Sequence, residues 1–218
     1  MNTRDKILHS SKEIFNELGF GTPTLNTLSL SIGISRGNLT YYFKDKESIL
    51  EALVDEMWLE YELLVARTMK FPSWSTTNKV IEAFLNFQQI YSFIFFDMKV
   101  MLLPNVAKRL EQMRLQSLEG QMALITFSIE LGNMKAETIP GTYRNLSETI
   151  WMIQFHWMPS LAYRNNNQTT NWDKLIWSII LPHFTEKGMQ SFINRFGEEY
   201  YQSLGDAYNH KQEQDVSF

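Results

Sequence analysis

Apolar residues return every three or four positions along almost the whole of this 218-residue chain, and the two-residue alternation of a strand is nearly absent. From Thr3 to Leu18, the residues Ile7, Leu8, Ser11, Ile14, Phe15 and Leu18 share one face. Arg4, Lys6, Lys12, Glu13 and Glu17 lie mostly opposite, and Gly19 and Gly21 follow as a helix-ending turn. A chain patterned this way is confined to helix-on-helix packing. One stretch is ambiguous: Thr27-Leu-Ser-Leu-Ser-Ile32 alternates like a strand, yet with Thr24 as a cap it puts Leu25, Leu28 and Ile32 at helical spacing. We read it as helix, because both flanks are helical and no pairing strand is at hand.

Gly33 breaks the pattern, and Ser35 is placed to cap a short helix from Arg36 to Phe43 with Leu39 and Phe43 turned inward. Asp45 then caps a longer helix running to about Met69, and Phe71-Pro-Ser-Trp-Ser75 reads as a loop. The segment from Val80 to Met101 is apolar on most sides, so it reads as one enclosed helix. From Val106 to Leu131 the pattern suggests two helices meeting near Gly120, and Lys135 to Gly141 a loop. A helix from Tyr143 to Tyr163 is expected to kink or end at Pro159. Asn165 to Asn171 is a polar loop, the stretches from Trp172 to His183 and from Glu186 to Leu204 complete the body, and the tail from Asn209 is expected to fray.

Composition removes several classes of chemistry. There is no cysteine, so disulfides and thiolate metal sites are excluded. His9, His156, His183 and His210 are far apart, so neither a metal nor a cofactor is expected. The most apolar stretch is interrupted by Glu82, Asp97 and Lys99, which argues against a membrane span, and no targeting segment is visible; a cytoplasmic protein is expected. Aromatic residues make up 14% of the chain, which calls for a sizeable core, an interface or a pocket. The net charge is −4. In the first fifty residues Arg4, Lys6, Lys12, Arg36, Lys44 and Lys46 face Asp5, Glu13, Glu17, Asp45 and Glu47, leaving that part slightly basic and the remainder acidic.

Those fifty residues form a constellation of helix, helix, tight turn and short helix. A helix of about eight residues does not hold itself together, so Leu39 and Phe43 must pin it to its neighbours. Its other face offers Arg36, Asn38, Thr40 and Tyr41, with Gly37 allowing close approach. A short rod with polar groups at its N-terminal end suits the major groove of DNA. Gly33-Ile-Ser-Arg-Gly37 also spells the GxSxG of a nucleophile elbow, but that elbow needs a preceding buried strand. Ser35 reads as a helix cap.

The stretch from Thr24 to Leu50, with Thr24, Gly33, Ser35, Gly37, Leu39, Phe43, Lys46, Glu47 and Leu50, resembles the helix-turn-helix signature of the tetracycline-repressor (TetR) family. The chain departs from that pattern at Thr40, where an aromatic is usual, and at Ser29, where alanine is usual. The resemblance spans about residues 3–53. It implies an all-α fold: a helix-turn-helix DNA-binding unit over residues 1–50 and a helical ligand-binding and dimerisation bundle over 51–218. It implies groove-facing roles for Arg36, Gly37, Asn38 and Tyr41. Thr24 and Ser35 become caps that touch phosphate, and Tyr42, Lys44 and Lys46 flanking backbone contacts. It further implies a homodimer on a pseudo-palindromic double-stranded operator, joined through the helices from Tyr143 to Tyr163 and from Glu186 to Leu204, and a small effector. The second of those helices carries the stripe Met189, Phe192, Ile193, Phe196, Tyr200 and Leu204. The residues read as lining an effector pocket are Phe84, Phe87, Tyr91, Phe95, Met98, Phe155 and His156, for each of which ordinary core is the competing reading. The expectation is therefore a ligand-responsive repressor and not an enzyme. A helical carrier or enzyme, or a protein-binding adaptor, is the alternative.

Overall fold

A computed structural model describes residues 2–68, 74–161 and 169–209. Almost all of this is helix. The first helix, α1 (Thr3–Leu18), starts where the Asn2 carboxamide accepts the Asp5 N–H and stops at Gly19, whose φ is 75°. Ile7, Leu8, Ser11 and Phe15 are buried, while Leu18 turns outward, against expectation. The ambiguous segment is the helix α2 (Leu25–Ile32). Thr24 and Thr27 cap each other reciprocally at its start, and Gly33 ends it in the left-handed conformation, φ 74° and ψ 34°. Next come α3 (Arg36–Tyr42) and α4 (Lys46–Thr68). The Asp45 carboxylate accepts the Ser48 N–H at 2.8 Å, supplying the expected cap of α4. Met69, where α4 was expected to end, and 71–73 of the expected loop lie outside the described residues.

The enclosed helix expected from Val80 to Met101 is three helices: α5 (Trp74–Ile90), α6 (Ser92–Phe95) and α7 (Met98–Met101). The break at Tyr91 is made from outside the segment. Asn16 of α1 donates its amide N–H to the Ile90 carbonyl at 2.9 Å, and its Oδ1 accepts from the Ser92 hydroxyl and the Phe93 N–H. The two helices expected to meet at Gly120 are one, α8 (Pro104–Glu130). α9 (Thr142–Leu161) runs two residues past Pro159. Then come α10 (Trp172–Ile180), a 3₁₀ turn at Leu181–His183, α11 (Glu186–Phe196) and α12 (Glu198–Gln202). Gly197, at φ 94°, divides the single helix expected from Glu186 to Leu204. Thr169–Thr170 pairs antiparallel with Tyr208–Asn209; the rest of the expected loop up to residue 168, Tyr163, and the tail from residue 210 lie outside the described residues.

The chain packs as two compact units, one of Met1–Arg67 with Ala83–Met113, the other of Thr68–Glu82 with Arg114–Phe218. The first therefore reaches beyond residue 50. It buries Phe15, Leu28, Leu39, Ile49, Leu53 and Met57, and within it the buried rings of Tyr61, Phe84, Phe87, Tyr91 and Phe95 pack on one another. The core of the second is built on Ile176, Trp177 and Phe192, with Tyr143, Ile150 and Phe184 around them. Here α11 docks so closely that a Cβ on Gly188 would lie 1.9 Å from the Asn133 carbonyl oxygen. Only glycine fits at that contact.

Candidate nucleic-acid interface

The geometry of the first unit is set by local capping. The Ser35 hydroxyl oxygen accepts the Asn38 N–H at 3.1 Å, satisfying one of the donors a helix start leaves unpaired; such a cap is worth about 1 kcal/mol. Seven residues make a rod about 10 Å long, and an α-helix is about 10–12 Å across with its side chains, a width that a major groove of about 12 Å admits. Leu39 is its buried residue and anchors it from below, helped by Phe43 just beyond its end. Arg36, Gly37, Asn38, Tyr41 and Tyr42 are exposed together, Tyr41 to 81%. The Tyr41 and Tyr42 rings meet edge to face at 5.1 Å, which gives the exposed pair a defined shape. A Cβ on Gly37 would meet nothing within 4 Å. Nothing among the described residues needs a glycine there; a closely approaching partner would.

The flanks differ among themselves. Thr24 is exposed, and its hydroxyl oxygen accepts the Thr27 N–H. Thr40 is half-buried, and its hydroxyl donates to the Gly37 carbonyl at 3.1 Å. Lys44 stands 84% exposed with its ammonium 3.8 Å from Asp45. The Ser48 N–H, the Ser48 hydroxyl and Lys44 hold the Asp45 carboxyl below the ordinary aspartate range. Lys46 is turned inward. Its ammonium donates to the Phe20 carbonyl at 2.7 Å and to the Gly21 carbonyl at 3.3 Å, and lies 4.5 Å from the centre of the Phe20 ring.

Asn16 and Phe20 were missed from the sequence, because each meets its partner 26 or more residues away and no local pattern marks it. The same holds for Glu56, which accepts from the Lys12 ammonium at 2.6 Å and from the Tyr91 hydroxyl at 3.2 Å. Burial, with the carboxylates of Glu56 and Glu60 nearby, pushes the Tyr91 hydroxyl far up.

The residues read as lining a pocket divide. Phe84, Phe87, Tyr91 and Phe95 are buried against one another in the first unit. Met98 is 61% exposed, so the enclosed stripe ends before it. In the second unit the half-buried Phe155 ring lies tilted against Trp151 at 5.4 Å, while His156, read as a polar group for a buried ligand, is exposed on α9. Of the stripe read as facing a partner, Met189, Phe192, Phe196, Tyr200 and Leu204 pack into the core of their own unit around Trp177, and Ile193 is half-buried. Among the described residues no helix is long and apolar enough to cross a membrane.

Known proteins share both halves of this arrangement. Residues 7–53 match the bacterial regulatory proteins of the tetR family, and residues 56–192 match the TetR bacterial transcriptional repressor domain. The chain is 28% identical over 83 residues to a probable HTH-type transcriptional regulator, YttP, of Bacillus subtilis; the match covers 38% of this chain and 40% of that protein's length. A solved TetR-family transcriptional regulator from Marinobacter aquaeolei VT8 has the same fold, with a TM-score of 0.74 at 23% identity, over 92% of this chain and 99% of that one. A SmeT–triclosan complex also shares the fold, with a TM-score of 0.59 at 14% identity, over 84% of this chain and 92% of that one.

Proposed function

Because the chain belongs to the TetR family of bacterial transcriptional regulators, we propose that it is a cytoplasmic, homodimeric, ligand-responsive repressor whose α3 reads a pseudo-palindromic DNA operator. The observation that carries this reading is the exposed face of α3, where Arg36, Asn38 and Tyr41 stand over the buried Leu39. Arg36 and Asn38 have the donor and acceptor geometry that reads purine edges, and Tyr41 adds a ring and a hydroxyl. Thr24, Ser35, Tyr42 and Lys44 lie where phosphate contacts fix the register. Thr40 adds little, because its hydroxyl is committed to its own helix.

Roles divide near residue 50: residues 1–50 bind DNA, and residues 51–218 hold the effector and the partner copy. The dimer contact is assigned to α9, whose outward stripe Asn145, Thr149, Met152 and His156 is exposed, Met152 to 53%. The effector is a small and largely apolar molecule taken up by the helical body; the SmeT neighbour, whose structure is a triclosan complex, supports that such a body holds a small molecule. A coupling of about 1–3 kcal/mol between effector and operator weakens DNA binding by roughly 5–150-fold, enough for a switch.

Selection of sheared genomic DNA from the source organism by the immobilised chain tests the proposal. The expected result is a small set of fragments sharing two inverted half-sites, spaced by about 34–36 Å or a multiple of it. Retention of no fragment, or of fragments without a common inverted sequence, contradicts it.

A further inference from the structure

We infer that Lys46 is a positioning residue for the recognition helix: it acts on DNA by locking the turn between α1 and α2, and not by touching phosphate. The inference rests on the DNA-binding reading above. Lys46 opens α4 four residues after α3 ends, and its ammonium crosses to the backbone of a turn 25 and 26 residues earlier. Two carbonyl oxygens and the face of the Phe20 ring surround it there. The ring is in turn held edge-on against the buried Phe15 at 5.2 Å. Residues 20–46 thus form a closed loop that contains all of α2 and all of α3, tied at its two ends by one side chain.

Each end of that tie is itself fixed. Gly19, with φ at 75°, sets the turn that presents the two carbonyls. The reciprocal Asp45–Ser48 bonds set the backbone from which Lys46 departs. Reaching out to a phosphate would give up two charge-assisted hydrogen bonds and a cation–π contact. Lys44, two residues earlier, needs no such sacrifice, since it already stands in solvent. The two lysines of one turn therefore do different work: Lys44 meets the DNA, and Lys46 holds the helix that meets it.

Phe20→Leu and Lys46→Met separate the two roles. Phe20→Leu weakens the tie without changing any charge. Both variants are compared with the wild-type chain on a genomic fragment that the wild type retains, across a series of salt concentrations, with hydrogen exchange of the α2 and α3 amides followed in the absence of DNA. The expected result is that each variant weakens binding by roughly tenfold, about the value of one base contact. The slope of log affinity against log salt stays at the wild-type value, the amides of α2 and α3 exchange faster, and the double variant loses little more than Lys46→Met alone. A direct phosphate contact gives the opposite pattern, and that pattern overturns the inference: Phe20→Leu binds like wild type or tighter, and Lys46→Met makes the slope shallower by about 0.9. If the wild-type chain retains no fragment at all, the DNA-binding reading falls and this inference falls with it. If it does and Phe20→Leu leaves both affinity and exchange unchanged, this inference alone falls.

Discussion

Gly37 concentrates the case for DNA binding into one atom that is missing. It lies in the first turn of α3, where glycine costs a helix up to about 1 kcal/mol relative to alanine, and a Cβ there would meet nothing within 4 Å among the described residues. Gly37→Ala is therefore expected to raise stability by up to about 1 kcal/mol while weakening operator binding, a pair of opposite effects read by urea unfolding and by DNA titration of the same sample. Asp45 makes a second residue-scale prediction. The Ser48 N–H, the Ser48 hydroxyl and Lys44 lower its folded pKa, so the stability it supplies is complete above the unfolded value, about 3.9, and is lost as the pH falls through the lower folded value. Asp45→Ala should unfold more readily than wild type at pH 7, and the gap should close once the pH drops below about 4. A gap that persists unchanged into acid would mean that Asp45 caps α4 without its charge.

Elements follow the sequence closely where their ends are decided locally. Thr24–Thr27, Ser35–Asn38 and Asp45–Ser48 are each three residues apart, so α2, α3 and the start of α4 could be read from spacing alone. The break after Ile90 could not, because Asn16 makes it from 74 to 77 residues away. Gly120 misled in the other direction: one glycine costs about 1 kcal/mol, too little to divide a helix of 27 residues that buries side chains from Val106 to Ile125. Gly197 does end a helix, because φ reaches 94° there, and the apolar stripe that runs on past it serves the core of its own unit. The exposed face of α3, proposed to read bases, was legible because α3 is short and has one buried anchor. Apolar residues on most sides of 80–101 left no face to assign, so the exposure of Met98 was not. Asn16→Ala is expected to cost about 1 kcal/mol, since the exposed Ile90 carbonyl and the partly buried Phe93 N–H both lose a partner that water replaces only in part. The Phe93 amide should lose exchange protection, with calorimetry giving the stability change. A variant as stable as wild type, with Phe93 still protected, would mean that α5 ends at Ile90 for another reason.

At the scale of the whole molecule, the slightly basic N-terminal part and the acidic body leave little general attraction for DNA, so the proposed repressor draws its affinity from two heads acting together. Met152→Glu, in the middle of the outward stripe of α9, is expected to give a monomer at concentrations where wild type sedimentates as a dimer, and to bind one half-site with far lower affinity; a dimer that survives it places the contact elsewhere than α9. The central claim, that α3 reads the bases, is tested most directly by equilibrium titration of a retained genomic fragment against the chain in which Arg36, Asn38 and Tyr41 are all alanine. The account predicts a fall to the affinity shown for random duplex, at least about 10³-fold, with thermal stability unchanged because all three side chains are exposed. Wild-type preference for the fragment in that variant would contradict it.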